Sequence, residues 1–246
     1  MRIRRTHVES AMARAGIARG FAARMYRSLG ASLVELLWLA ARPALPASRL
    51  ADIGEASRAI LDRIHARGRG MVLATAHTGN WEVAAAAIAE RYPLTAVAKT
   101  MHVGWVERFC TRIREARRIA VASPRGAMTT GRAALGRGEV VAMLIDQVPD
   151  RARHALAVEF LGAPAHVDRA PAALAAAARA PLVLGLARRE GARQVLEVLA
   201  VLEPPDQARR AWVDEATRTV TAALDGFVRA HPSEWLWLHR RWRPAP

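Results

Sequence analysis

Short apolar runs, each too brief for a helix and each followed by a helix-length stretch, constrain this chain more than any other feature. Met71 to Ala76 (MVLATA), Leu94 to Lys99, Val140 to Ile145 (VVAMLI), Pro181 to Leu186 and Val195 to Leu202 read as strands. Between and after them, helices are predicted over 81–91, 103–118, 127–136, 171–180 and 209–229, with Gly68, Gly70, Pro93 and Pro232 as punctuation. Strands alternating with helices predict a single α/β domain built on a mostly parallel central sheet flanked by helices. Hydrophobic residues make up 52% of the 246, enough for a substantial core.

Upstream, residues 1–42 read as helical, with Phe21, Met25, Leu29, Leu33 and Leu37 recurring every four positions until Pro43 and Pro46. A further helix is predicted over 52–66. The chain therefore divides into an N-terminal helical segment over 1–45, a candidate membrane-associated element, and an α/β domain over 46–246. The start, MRIRRTHVES, lacks the apolar stretch of a secretory signal. Glu35 and Arg42 interrupt the apolar stretch Leu29 to Leu45, which falls short of the ~20 residues a spanning helix needs. A core helix or one lying in a membrane interface is left.

Lys and Arg total 37 against 22 Asp and Glu, a net charge of +15, and Lys99 is the only lysine. Such a surface attracts anionic lipid headgroups, nucleic acid or acidic proteins. No helix-turn-helix or zinc-finger pattern accompanies the charge, and the arginines are scattered instead of forming a stripe, so nucleic acid is not the expected partner. A lone Cys110 rules out an internal disulfide, and without HExxH or HxH spacing no metal is expected. No G-x-S-x-G elbow marks a serine hydrolase.

Three segments carry candidate chemistry. The first is His77-Thr-Gly-Asn-Trp-Glu82, at a strand-to-helix turn. Histidine can take a hydroxyl proton near neutral pH, and a carboxylate can orient it. Residues five apart on a helix point ~140° away from each other, so His77 must lie in the turn and Glu82 in the first helical turn for the two to meet. Gly79 allows that turn, and the new helix N-terminus offers N–H groups to an oxyanion. The spacing equally suits a Glu82 that complements the helix dipole and a His77 that ends a strand. The second is Asp146-Gln147 at the carboxyl end of a strand, either a ligand site or a structural turn. The third is the tail HPSEWLWLHRRWRP, where Trp235, Trp237 and Trp242 sit beside Arg240, Arg241 and Arg243. It reads either as a headgroup-binding surface or as tryptophans packed on the core beneath solvated arginines.

Taken in order, YRSLG with ELLWLA, HTGNWE, the strand ending in DQ, VEFLGAPA and HPSEWLWLHRRW resemble the bacterial lipid A biosynthesis acyltransferase family, from about Tyr26 to Arg243. The resemblance implies a glycerolipid-acyltransferase-like fold on the cytoplasmic face of the bacterial inner membrane, peripheral or monotopic. It implies acyl transfer from acyl-carrier protein or acyl-CoA to a hydroxyl of an anionic glycolipid such as a lipid A precursor. No cofactor and no acyl-enzyme are implied. His77 becomes the general base and Glu82 its partner, with Asn80, Trp81, Arg114, Arg125, Asp146, Gln147, Arg240 and Arg241 as substrate-binding residues. Departures from the family pattern are Glu159 and Leu161 in VEFLG, the missing threonine after Ala165, the missing glycine after DQ, and an N-terminal membrane helix that is truncated or missing. The alternatives are a related thioesterase or hydrolase, and a non-enzymatic basic protein binding nucleic acid or membrane.

Overall fold

In the computed structural model, residues 4–100, 103–207 and 209–242 are described, so Arg243 of the tail motif lies outside the described residues. Seven strands form one sheet: β1 (Ala51–Ile53), β2 (Met71–Thr75), β3 (Leu94–Val97), β4 (Ile119–Ala122), β5 (Val140–Leu144), β8 (Leu182–Glu190) and β9 (Arg193–Leu202). Their spatial order is β1-β9-β8-β2-β5-β3-β4. Five of the pairings are parallel and β8–β9 is antiparallel, as expected of a mostly parallel α/β sheet.

The two antiparallel pairs have a local cause. β8 and β9 meet at Glu190 and Arg193 through a two-residue turn in which Gly191 has φ +57°. β6 (Ala155–Phe160) and β7 (Ala163–Asp168) form a separate hairpin whose turn residues Leu161 and Gly162 both have positive φ, the primed turn that matches strand twist. Neither this hairpin nor the short β1 and β4 was predicted, because none carries a long apolar run.

Alternate residues of β2 feed opposite faces, which is why the run MVLAT is apolar throughout. Val72 and Ala74 join Val141, Met143, Leu182 and Leu184 beneath α7 (Ala170–Ala178), α8 (Arg209–Ala230), α1 (Arg5–Arg14) and the tail tryptophans Trp235 and Trp237. Met71 and Leu73 face Leu61 and Ile64 of α3 (Glu55–His65) and Ala84 and Ile88 of α4 (Trp81–Ala89). Pro171 sits in the first turn of α7, where its missing N–H costs nothing.

The predicted helix over 1–42 is two helices, α1 and α2 (Gly20–Ala41), with Gly16 at φ +73° in the break between them. Their apolar faces do different things. Val8, Ala11 and Met12 of α1 enter the main core. Leu36, Leu39 and Ala40 of α2 pack with Phe109 and Ile113 of α5 (Gly104–Ala116) and with Val83 and Ala86 of α4. Among the described residues, no helix is long and apolar enough to cross a membrane. The remaining helix, α6 (Ala127–Gly136), has the predicted bounds.

Gly70, just before β2, has φ +63°, and a Cβ there would overlap the Glu139 carbonyl oxygen. Gly68 has φ +71° but open space around it. Thermal unfolding of Gly70→Ala is expected to show a loss of about 2 kcal/mol or more. Gly68→Ala should lose only about 1 kcal/mol. Equal losses would show that the crowding above β2 is unimportant.

Candidate active site

His77 follows β2 by two residues, and its position is fixed by strand register. β2 and β5 pair in parallel from Met71↔Val140 to Thr75↔Leu144. Continuing that register by two residues sets His77 opposite Asp146. His77 Nδ1 lies 2.9 Å from Asp146 Oδ1, and the His77 backbone N–H donates to Oδ2 at 3.0 Å. Trp235 Nε1 donates to the same Oδ2 at 2.9 Å. Asp146 is wholly buried, which alone would raise its pKa. The His77 charge and hydrogen bond, with smaller contributions from His239 and Trp235, outweigh burial and hold the carboxyl well below the usual carboxylate range. In its neutral form, His77 donates Nδ1–H to Asp146 and keeps the Nε2 lone pair for a substrate proton.

The turn after His77 is held on both sides. Leu236 N–H donates to His77 O at 2.9 Å and Gly79 N–H to Glu234 O at 2.8 Å, around a Thr78–Trp235 bridge. Gly79 is required: at φ +52°, a Cβ would sit 2.6 Å from Gln194 Oε1 and 2.9 Å from Ala187 O. Asn80 caps α4 through Oδ1, which accepts from Val83 N–H at 3.3 Å. Its Nδ2 donates to Ser32 O at 3.0 Å and to Glu35 Oε2 at 2.9 Å. Buried Glu35 also accepts from Arg189 Nη1 and from Gln194 Nε2 at 3.3 Å. Asn80 is thus a joint between α4 and α2.

The expected His77–Glu82 contact is replaced by a different pairing. Glu82 is the second residue of α4, and both its oxygens are taken by Arg114 of α5: Nε donates at 3.1 Å, and Nη2 donates to the other oxygen. Burial works against the Arg114 charge, but the Glu82 carboxylate outweighs it and holds the guanidinium above its ordinary pKa. The carboxylate on His77 is Asp146, contributed by the neighbouring strand. Of the other sequence candidates, Trp81 meets the His77 ring edge-on at 4.7 Å between centroids, and Gln147 is half-buried directly after Asp146. Arg125 lies exposed after β4, the edge strand three places from β2. Arg240 is exposed.

Arg241 is not a surface group. It is 1% exposed, donates from Nη1 to His166 O at 2.6 Å and lies 5.1 Å over the Phe160 ring. Desolvation lowers its pKa to about 10, and Asp146 opposes that shift, so the guanidinium keeps its charge inside the fold. Trp235 and Trp237 are equally buried, which settles the tail on the packing alternative at those positions.

His239, from the same tail, lies against His77 in a tilted contact, with centroids 4.6 Å apart. Ring nitrogens of the two histidines and an Asp146 oxygen lie within 4.8 Å of one another, spacing a metal could use. Asp146, however, already accepts three N–H donors, and the positive charges of Arg4 and Arg241 act on the same cluster. A cation would compete with the bonds that position the imidazole.

Beside His77 and Trp81 runs a narrow seam lined by Met25, Ser28 and Leu29 of α2 and by 233–236, with room for about one water molecule. A larger cavity of about 490 Å³ lies between Arg69, Arg132 and Arg179. The C-terminal ends of α6 and α7 border it.

A histidine held by a buried carboxylate, where adjacent parallel strands end, is an arrangement suited to proton abstraction in an α/β enzyme. Residues 18–244 match the bacterial lipid A biosynthesis acyltransferases, and the chain belongs to that family. It is an acyltransferase with a role in lipid A biosynthesis, acting on an acyl donor and a glycolipid acceptor. No curated protein is significantly similar to it.

Acid should probe the cluster in two windows. Burial and the His77 charge lower the His239 pKa to about 4, against about 6.5 for an unfolded histidine. Below pH 6.5 the unfolded state therefore binds the proton first, so the His239 contribution to stability falls from pH 6.5 to 4. Asp146 is depressed, so its contribution is lost only below about pH 4. Denaturant melts of His239→Phe are expected to show a shallower decline from pH 6.5 to 4 than the wild type. An unchanged slope would place His239 in water.

Proposed function

We propose that the protein transfers a fatty acyl group from a thioester carrier, an acyl-carrier protein or acyl-CoA, to a hydroxyl of an anionic lipid A precursor at a membrane surface. The observation that carries this reading is the His77–Asp146 dyad. His77 Nε2 takes the acceptor hydroxyl proton while the oxygen attacks the thioester carbonyl, and Asp146 stabilises the imidazolium. The thiolate leaves with the proton returned from His77. No serine or cysteine is needed as a nucleophile, so the transfer is direct. Arg114, clamped by Glu82 on the α4 turn beside Trp81, is assigned to hold the acceptor's anionic group. Asn80 holds that turn in place, and Gln147 and Arg240 remain candidate acceptor contacts.

The mutational pattern separates these roles. His77→Ala and Asp146→Asn should lower kcat for labelled acyl transfer from acyl-carrier protein to extracted lipids by about 10²–10⁴-fold. Glu82→Gln should chiefly raise KM for the lipid. Equal product from wild type and His77→Ala would remove His77 as the base. Free fatty acid as the only product would make the enzyme a hydrolase.

The membrane part of the reading rests on the outer face of α2 and the start of α5. Leu33, Val34 and Leu37 are more than half exposed, as is Trp105 at 68%, and Val103 stands beside Trp105. Arg42 lies over Trp38, and Arg108 and Arg112 are exposed on α5. An apolar strip among arginines suits the interface of an anionic bilayer. Leu33→Glu/Leu37→Glu should sediment with phosphatidylglycerol vesicles at least tenfold less than wild type, while keeping activity on detergent-dispersed lipid. Undiminished sedimentation would remove this face from the membrane.

A further inference from the structure

The acyl transfer proposed above needs a group to receive charge on the thioester oxygen, and the segment around His239 supplies a candidate that the reaction has so far left unused. His239 is held from several directions. Its carbonyl oxygen accepts from His7 Nε2 at 3.1 Å, and the Leu238 carbonyl accepts from Arg4 Nη1 at 3.1 Å. Two residues on, Arg241 is fixed by His166 O and the Phe160 ring. Trp237 Nε1 donates to Pro232 O at 2.8 Å. The ring of His239 is thereby held against His77, with the two ring planes inclined by 58°.

Within this packing, the Nε2 atom of His239 is buried and has no hydrogen-bond partner among the described residues. A buried polar atom left unpaired costs about 1–3 kcal/mol, and such an atom beside a catalytic base calls for an explanation. We propose that His239 is a second catalytic residue, whose Nε2–H donates a hydrogen bond to the thioester oxygen as the acceptor hydroxyl attacks.

The balance of the step is simple. The hydroxyl proton moves to His77 Nε2, the new C–O bond forms, and the carbonyl π pair moves onto the oxygen that faces His239. Collapse restores the C=O bond and breaks the C–S bond, and the thiolate takes the proton from His77. His239 gains and loses no proton. Its pKa of about 4, lowered first by burial and then by the His77 charge, suits a donor that stays neutral and leaves the substrate proton to its neighbour. Packing alone would need only a flat ring at this position.

The test uses the full chain, an acyl-carrier-protein thioester and lipid A precursor, with the fold of each variant checked by circular dichroism. His239→Phe keeps a ring against His77 but has no N–H, and should lower kcat by about 10²–10³-fold with KM for either substrate changed less than threefold. His239→Gln carries an amide N–H near the Nε2 position and should recover at least tenfold over His239→Phe. His239→Asn reaches only the Nδ1 position and should not. If His239→Phe does not fold, the Gln and Asn variants decide, and an Asn variant as active as Gln overturns the assignment. So does a His239→Phe enzyme within threefold of wild type, which would leave the functional reading itself standing. A wild type that consumes no thioester at all overturns both.

Discussion

The buried carboxylate of Asp146 organises the candidate active site. It accepts a side-chain N–H and a backbone N–H from His77 and an indole N–H from Trp235. Those three bonds tie together the ends of β2 and β5 and the segment after α8, three parts of the chain that no local preference would join. A wholly buried carboxylate without them would take up a proton, and the histidine would lose both its orientation and its counter-charge. Arg241, kept charged inside the fold, adds a fixed positive charge near the same carboxylate. The site is therefore a small electrostatic cluster inside an apolar shell, where each charge is tolerable because of the others.

A second polar cluster does for α2 what Asp146 does for the strands. Glu35 gathers Asn80, Arg189 and Gln194 in the interior, drawing α2, the α4 cap, β8 and β9 to one point. Its effect is to fix the helix whose other face carries Leu33, Val34 and Leu37. The sheet end and the apolar strip are thus mechanically one unit, so a helix seated in a lipid interface would have a direct connection to the seam beside His77. That seam has room for about one water molecule, so any larger ligand there would require α2 and residues 233–236 to part.

Much of this was legible in the sequence, and the divisions are physical. Strands β2 and β5 carry near-continuous apolar runs because both their faces are covered, so they could be read directly. The hairpin β6–β7 lies apart from the sheet and alternates weakly, so it could not. His77, Asp146 and the turn chemistry of Gly79 and Asn80 stood out because each interrupts or ends an apolar run. Their partners did not, since a register of neighbouring strands pairs His77 with a residue 69 positions away, while the nearer Glu82 belongs to Arg114. Glu35 had left a trace, as an acid inside an otherwise apolar helix, but nothing in one dimension names Arg189 or Gln194 as what it meets. His239 was visible only as part of a motif, with no indication that its ring would lie on His77.

The bonds from Arg4 to Leu238 and from His7 to His239 span 234 and 232 positions. Closure of the site is therefore among the most long-range events in the folding of this chain, and loop closure of that length is slow relative to local helix formation. On a translating ribosome, the sheet can assemble while the histidine turn still lacks Trp235 and the 236–239 segment that close over it. The nascent chain would carry His77 and Asp146 early, yet hold them unshielded. Docking of the tail against Arg4 and His7 would then be the step that completes the pocket wall around His77.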